Sequence, residues 1–361
     1  MTQIFSRRQA LLLTGAAFFA SCVENKAISA PESTVPTARS GSGWSSGVPL
    51  LVPTQEIYPC VHNGAIHLAG GFFAENGQIV APADAHYAWR PGDAAWTRGV
   101  SLRRQRHHPQ LVSWRGGLFA LAGFETPSED QIWVMQSSGW RLLGHVFPPD
   151  GPAITIEPAW FEVSRLPRPC AEAVVGVTGD GNLHLAGGRT PKGSANAQWI
   201  DHTDTDHHYI LTDLDVAWET AAPCLTKRNS ASGDVIDGNL HIVGGRTVEG
   251  GNVAVHEVYD YREDRWRTAA PMPQGQGGLA AAAVGGRLYA FGGEFFDGDG
   301  GVYSEAYSYN TASDRWTRLP DMPNPRHGLG AVALNGELYV IGGALEVGGN
   351  GTTTVVDIYT P

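Results

Sequence analysis

The side chains best equipped for chemistry recur at two fixed places along this chain. Just before a series of short apolar runs stand Gln55, Arg106-His107-His108, Arg168, Arg228-Asn229, Gln276 and Arg326-His327. Just after a series of glycine marks stand Phe72, Glu125, Arg189, Arg246, Glu294 and Ala344. A guanidinium fork matches the paired oxygens of a carboxylate, sulfate or phosphate. Arg106, Arg189, Arg228, Arg246 and Arg326, with Gln276, are therefore candidates to hold an anionic ligand. A Glu or His beside such a fork can accept or donate a proton, which makes Glu125, Glu294, His107, His108 and His327 the candidate acid–base groups. Each Arg also has a structural alternative, a salt bridge to an acid such as Asp264 or Asp314 that ties one repeat to the next.

A second cluster lies between Asp201 and His208, where three imidazoles and three carboxylates fall within eight residues. His202, Asp204, His207 and His208 are candidate ligands of a divalent metal. No zinc spacing is met, and the stretch lacks the Gly and terminal Glu of an EF-hand loop. No nucleophile elbow, Walker loop or dinucleotide fingerprint is present, and no motif requires a cofactor.

The elements that must position these groups come from a repeat. The pattern apolar–Leu/Ile–x–apolar–Gly-Gly recurs at 67–71, 184–188, 241–245, 289–293 and 339–343, with a degenerate copy, FALAGF, at 119–124. A Trp recurs at 44, 96, 140, 218, 266 and 316; four of these precede a glycine mark by 26 residues, Trp96 by 27 and Trp140 by 47. Each unit reads as four short strands, with Gly where the chain leaves the second and Trp on the fourth. These residues resemble kelch repeats, whose period is about 50 residues.

The resemblance covers residues 44–361 and implies an all-β fold, a six-bladed β-propeller with four-stranded antiparallel blades. Trp44 has no strands before it, so it is expected to supply the last strand of the sixth blade and close the ring. Loops alternate between two faces in such a meander. The Arg/His ring and the Asp/His loop should share one face, together with an insertion at about 144–166 that follows Trp140 as a fourth-strand Trp. Tight turns such as Asp237-Gly238-Asn239 and Asn335-Gly336 should mark the other.

Residues 1–30 read as a twin-arginine signal peptide, with Arg7-Arg8 before an apolar stretch and no acid before Glu24. Phe19-Ala20-Ser21-Cys22 resembles a lipobox that would lipidate Cys22, and Ile28-Ser29-Ala30 is an alternative cleavage site. Residues 31–43 form a polar tether. The expected location is the periplasm, either free or lipid-anchored. Without residues 1–30 the chain carries 22 basic and 35 acidic residues, a net charge of −13. That charge argues against nucleic acid as a partner, and no apolar run reaches the ~20 residues of a transmembrane helix. Cys60, Cys170 and Cys224 are odd in number, so at least one is expected to be a free thiol. A monomer is expected.

Resemblance to galactose oxidase stops at the fold, and the Glu-x3-Asp-x3-His pattern of iron-dependent specifier proteins is absent. The nearer functional likeness is to the periplasmic sialic acid mutarotases, which are also six-bladed kelch proteins. It implies an anionic small molecule or acidic glycan as partner, and mutarotation or epimerisation of an acidic sugar as activity. Two alternatives stand beside it: a non-catalytic glycan- or protein-binding propeller, and a metal-dependent lyase or isomerase using the Asp201–His208 loop.

Overall fold

The computed structural model describes residues 43–75, 78–128, 131–143 and 157–361. Its only helix among these residues is one 3-10 turn, Trp199–Asp201; every other regular element is a strand. Six antiparallel four-stranded sheets follow one another along the chain. Blades 1 to 5 occupy residues 60–98, 110–162, 174–220, 232–268 and 280–318. Blade 6 takes three strands from the C-terminus, Gly330–Leu334, Glu337–Ile341 and Val356–Thr360, and its fourth from Gly43–Ser46. Trp44 pairs with Tyr359 in that closing strand. The ring therefore joins the first described residues to the last, and no open sheet edge is left at the seam.

Apolar side chains alternate along each strand and meet those of the neighbouring blade. Six buried clusters result, one at each junction between blades. Two backbone-anchored rings lock the junctions. The indole Nε1 of each fourth-strand Trp donates to a carbonyl of the preceding blade at 2.8–3.0 Å, for Trp44, Trp96, Trp160, Trp218, Trp266 and Trp316. The amide of the last glycine in each mark donates across to the next blade, also at 2.8–3.0 Å; Gly71 bonds Arg106 and Gly343 closes the circle on Thr54. The preceding glycine of a pair sits under that same crossing. A Cβ on Gly70 would collide with the Arg106 carbonyl and one on Gly292 with the Arg326 carbonyl, and both residues have left-handed φ.

The Trp ring corrects the expected role of Trp140. Trp140 lies on the third strand of blade 2, Gly139–Leu143, and Trp160 on its fourth, Ala159–Glu162. Trp160 precedes Gly187 by 27 residues, so the regular spacing is kept. Strand three ends at Leu143 and strand four begins at Ala159, at the sheet end that carries the tight turns rather than the Arg/His ring. Most of the expected insertion, residues 144–156, lies outside the described residues, as do the expected signal peptide, 1–30, and nearly all of the expected tether, 31–43. The tight turns are present, with left-handed pairs at Asp237-Gly238 and Asn335-Gly336. Cys60, Cys170 and Cys224 are all free thiols.

Candidate functional site

The chain enters every blade through a three-residue turn, and the position within that turn decides what a side chain does. The middle residue pairs with the residue that follows the glycine mark of the same blade: Gln55 with Phe72, His107 with Phe124, Ala171 with Arg189, Asn229 with Arg246, Gly277 with Glu294, and His327 with Ala344. The third residue is left-handed in all six blades, with φ of 56° at Glu56, 57° at His108, 55° at Glu172, 50° at Ser230, 69° at Gly278 and 58° at Gly328. Backbone bonds link several of them around the axis, such as His108 N–H to Glu56 O at 3.0 Å and Glu56 N–H to Gly328 O at 2.7 Å. Left-handed φ is costly for Glu, His and Ser, and residues held this way gather at functional sites.

Above this ring lies a cavity of about 1020 Å³. On its floor His108 Nε2 is 2.7 Å from Glu56 Oε2 and 4.0 Å from Glu172 Oε1, and Ser230 Oγ donates to Glu172 Oε2 at 2.6 Å. His327 Nδ1 stands between two carboxylates, 3.5 Å from Glu294 Oε2 and 3.9 Å from Glu56 Oε1. Glu294 Oε1 also accepts from Arg246 Nη1 at 2.6 Å. Burial alone would raise the Glu56 pKa, but His108 foremost, then His327 and Arg246, hold it down at about 2. Carboxylate and imidazole thus alternate from Glu172 to Glu294.

Arg189 occupies the wall. It is 1 % exposed, its guanidinium stacks 3.3 Å from the Trp199 ring, and its Nε and Nη1 have no protein partner. Burial lowers its pKa, with Glu172 and Asp204 opposing that shift. Both ring nitrogens of His327 also lack a hydrogen-bond partner. Buried donors without partners cost free energy unless a ligand completes them, so these are the groups poised to meet one.

The structure brings Arg189, Arg246, Glu294, His108 and His327 to this cavity. It does not bring the other candidates there. Arg106, Arg228 and Arg326 occupy the first position of the entry turn and run into their own blades. Arg106 pairs with Glu125 and donates to the Ala122 and Ser138 carbonyls. Arg228 lies 3.0 Å from Glu257, and Arg326 binds Asp357 at 2.6 Å and the carbonyls of Val340 and Gly342. Gln276, at the same position, is wholly buried and donates to Glu305 O at 3.4 Å.

Glu125 sits one residue beyond the cavity-facing place, because the mark in blade 2 is Ala122-Gly123 and Phe124 follows it. Alternation along the strand turns Glu125 toward Arg106 instead. His107 is sealed under Phe124 and Trp133, bonded to Ile132 O at 2.6 Å, with burial lowering its pKa to about 3. The acids Asp264 and Asp314 bind the hydroxyls of Tyr259 and Tyr309 rather than these arginines.

The Asp201–His208 segment does not assemble a metal site. Among the described residues no three His, Cys, Asp or Glu side chains gather to hold an ion. His202 is buried beside Phe124 and Trp199, and Asp204 accepts from Asn229 and from the Val248 amide. His208 is bound to His184 at 2.9 Å and to Ala222 O at 3.0 Å, and His207 stacks on Tyr209. The metal-dependent lyase reading has no support in this arrangement. Sequence reasoning also missed Glu56, Glu172, Trp133 and Trp199, all of which line the cavity. Glu172 stands two residues before its first strand but Glu56 stands four before Cys60, so no single count from the strands finds both.

The kelch-repeats domain described as KLHDC2/KLHL20/DRC7 matches residues 160–357, more than half of the chain. This chain belongs to the kelch-repeat family. A solved structure titled "Structure of YjhT" matches this kelch propeller with a TM-score of 0.66 and 15 % identity, over 87 % of this chain and 96 % of that one. The likeness at that identity is one of fold. A comparison with curated proteins finds no match. Among the described residues no helix is long and apolar enough to cross a membrane.

Proposed function

We propose that this kelch propeller binds an acidic sugar in the cavity over the entry-turn ring and catalyses its mutarotation or epimerisation. The observation that carries the reading is Arg189, a buried guanidinium with two unpartnered nitrogens, in the same cavity as the unpartnered imidazole of His327. Arg189 would take the sugar carboxylate on its unpartnered donors while Trp199, stacked against it, fixes the orientation of the guanidinium plane.

Opening a pyranose needs a proton removed from the anomeric hydroxyl and one delivered to the ring oxygen as the ring C–O bond breaks. Rotation and reclosure on the other face reverse both transfers. His327, between Glu294 and Glu56, is placed to exchange those protons. The twin-arginine signal supports exposure to periplasmic sugars.

Exchange spectroscopy on the anomers of glucuronic acid and N-acetylneuraminic acid tests the reading. Wild-type protein should speed anomer exchange, His327→Gln should slow it without weakening binding much, and Arg189→Ala should weaken binding. Binding without any acceleration would leave a binding module and remove the catalytic claim.

A further inference from the structure

The cavity is larger than the proposed ligand needs. At about 1020 Å³ it reaches the upper end of the ~300–1,000 Å³ typical of small-molecule sites, and one sugar ring fills only a fraction of it. Its lining also carries exposed apolar side chains. Of the ten exposed large hydrophobic side chains among the described residues, three line the cavity: Trp199, Val248 and Phe296. Exposed apolar groups gathered at the mouth of a polar site mark a contact surface.

Two of these aromatics repeat one arrangement. Trp199 covers Arg189 at 3.3 Å, and Phe296 covers Arg246 at 5.5 Å. Both rings keep much of their surface in solvent, 40 % for Trp199 and 62 % for Phe296. The two arginines differ in charge left over. Arg189 has free donors, whereas Arg246 is already paired with Glu294 at 2.6 Å. The Phe296 half is also lined by Glu249, Asp297 and Tyr303. Those carboxylates accept hydrogen bonds from hydroxyls and repel a second acid.

We infer that the cavity takes two sugar rings: an acidic ring with a free anomeric carbon at Arg189, and a neutral ring joined to it that packs on Phe296. The apolar C–H face of a pyranose lies against an aromatic ring, and its hydroxyls reach Glu249 and Asp297. This inference rests on the acidic-sugar reading above and extends it to the class of ligand.

Titration calorimetry on the whole exported chain separates the two claims, using three probes: glucuronic acid, a glucosyl-glucuronic acid disaccharide with the uronic acid at its reducing end, and a disaccharide of two glucuronic acids. The mixed disaccharide should bind about tenfold more tightly than the monosaccharide. Phe296→Ala should erase that gain and leave monosaccharide affinity unchanged, and the doubly acidic disaccharide should show no gain. Equal affinity for monosaccharide and mixed disaccharide overturns the second subsite while the acidic-sugar reading survives. Equal weakening of both by Phe296→Ala overturns it as well. Failure of all three probes to bind overturns the two-ring inference, and the acidic-sugar reading falls with it only if N-acetylneuraminic acid also fails to bind.

Discussion

Arg326 and Arg189 flank the same ring of glycines, are both buried, and come from turns that recur in every blade. Their surroundings differ in what decides the role of a buried guanidinium. Arg326 gives its Nε, Nη1 and Nη2 to Asp357 and to main-chain carbonyls of blade 6. Arg189 keeps two nitrogens without protein partners and leans on Trp199 in a cavity wall. Arg228 and Arg106 also leave nitrogens without partners but run into their own blades, so what sets Arg189 apart is that its unpartnered donors belong to a cavity wall. The comparison teaches that residue type and approximate loop position do not assign the role. What assigns it is whether the side chain stands first in the entry turn, as Arg326 does, or directly after the glycine mark, as Arg189 does.

The largest expected effect separates these two classes. Arg326→Ala strands Asp357 in the blade interior and should cost about 3–5 kcal/mol of stability, read by denaturant unfolding. Unchanged unfolding would erase the distinction. Arg189→Ala should instead lower affinity for an acidic sugar by tenfold or more, from a lost charge-assisted contact of ~1.5–3 kcal/mol, with the melting temperature nearly unchanged.

A smaller effect comes from the blade interiors. Histidine pairs bridge the second and third strands of blades 1, 3 and 4: His67 with His86, His184 with His208, and His241 with His256, at 2.9–3.0 Å, all buried but the half-buried His67. Burial lowers these pKa values to about 3 for His241 and about 4 for the other five. The unfolded chain therefore binds more protons than the folded one once pH falls below the ordinary value of 6.5. Stability from these pairs is complete above that value and drains away as pH falls toward 4. Unfolding curves between pH 7 and pH 4.5 should show this slope, and His184→Gln should flatten it. The smallest effect is expected at Glu125→Gln, which should loosen blade 2 modestly and leave ligand affinity alone. A loss of affinity there would bring Glu125 back to the site.

The fold was readable from sequence because its marks answer to geometry. A side chain on Gly70 or Gly292 would collide with the next blade, and each fourth-strand Trp bonds its neighbour. Trp44 was placed in the closing strand for the same reason. Blade 2 misled because it carries Trp140 and Trp160 on adjacent strands and replaces the first glycine of its mark with Ala122. That single change also shifted Glu125 into the wrong register. The floor of the site was harder to read because its six left-handed positions share a conformation and not a residue type. Glu, His, Glu, Ser, Gly and Gly share no one residue type across the six blades. Arg189 was found because its chemistry and its place agree.

The central claim is that Arg189 is the anion receptor of this cavity. Calorimetric titration of wild type, Arg189→Ala and Arg246→Ala with N-acetylneuraminic acid and with glucuronic acid tests it most directly. The account predicts saturable one-site binding of at least one of these acids to wild type, at least a tenfold loss in Arg189→Ala, and no binding of the matching neutral sugar. Equal affinity of wild type and Arg189→Ala for an acid that binds would contradict it.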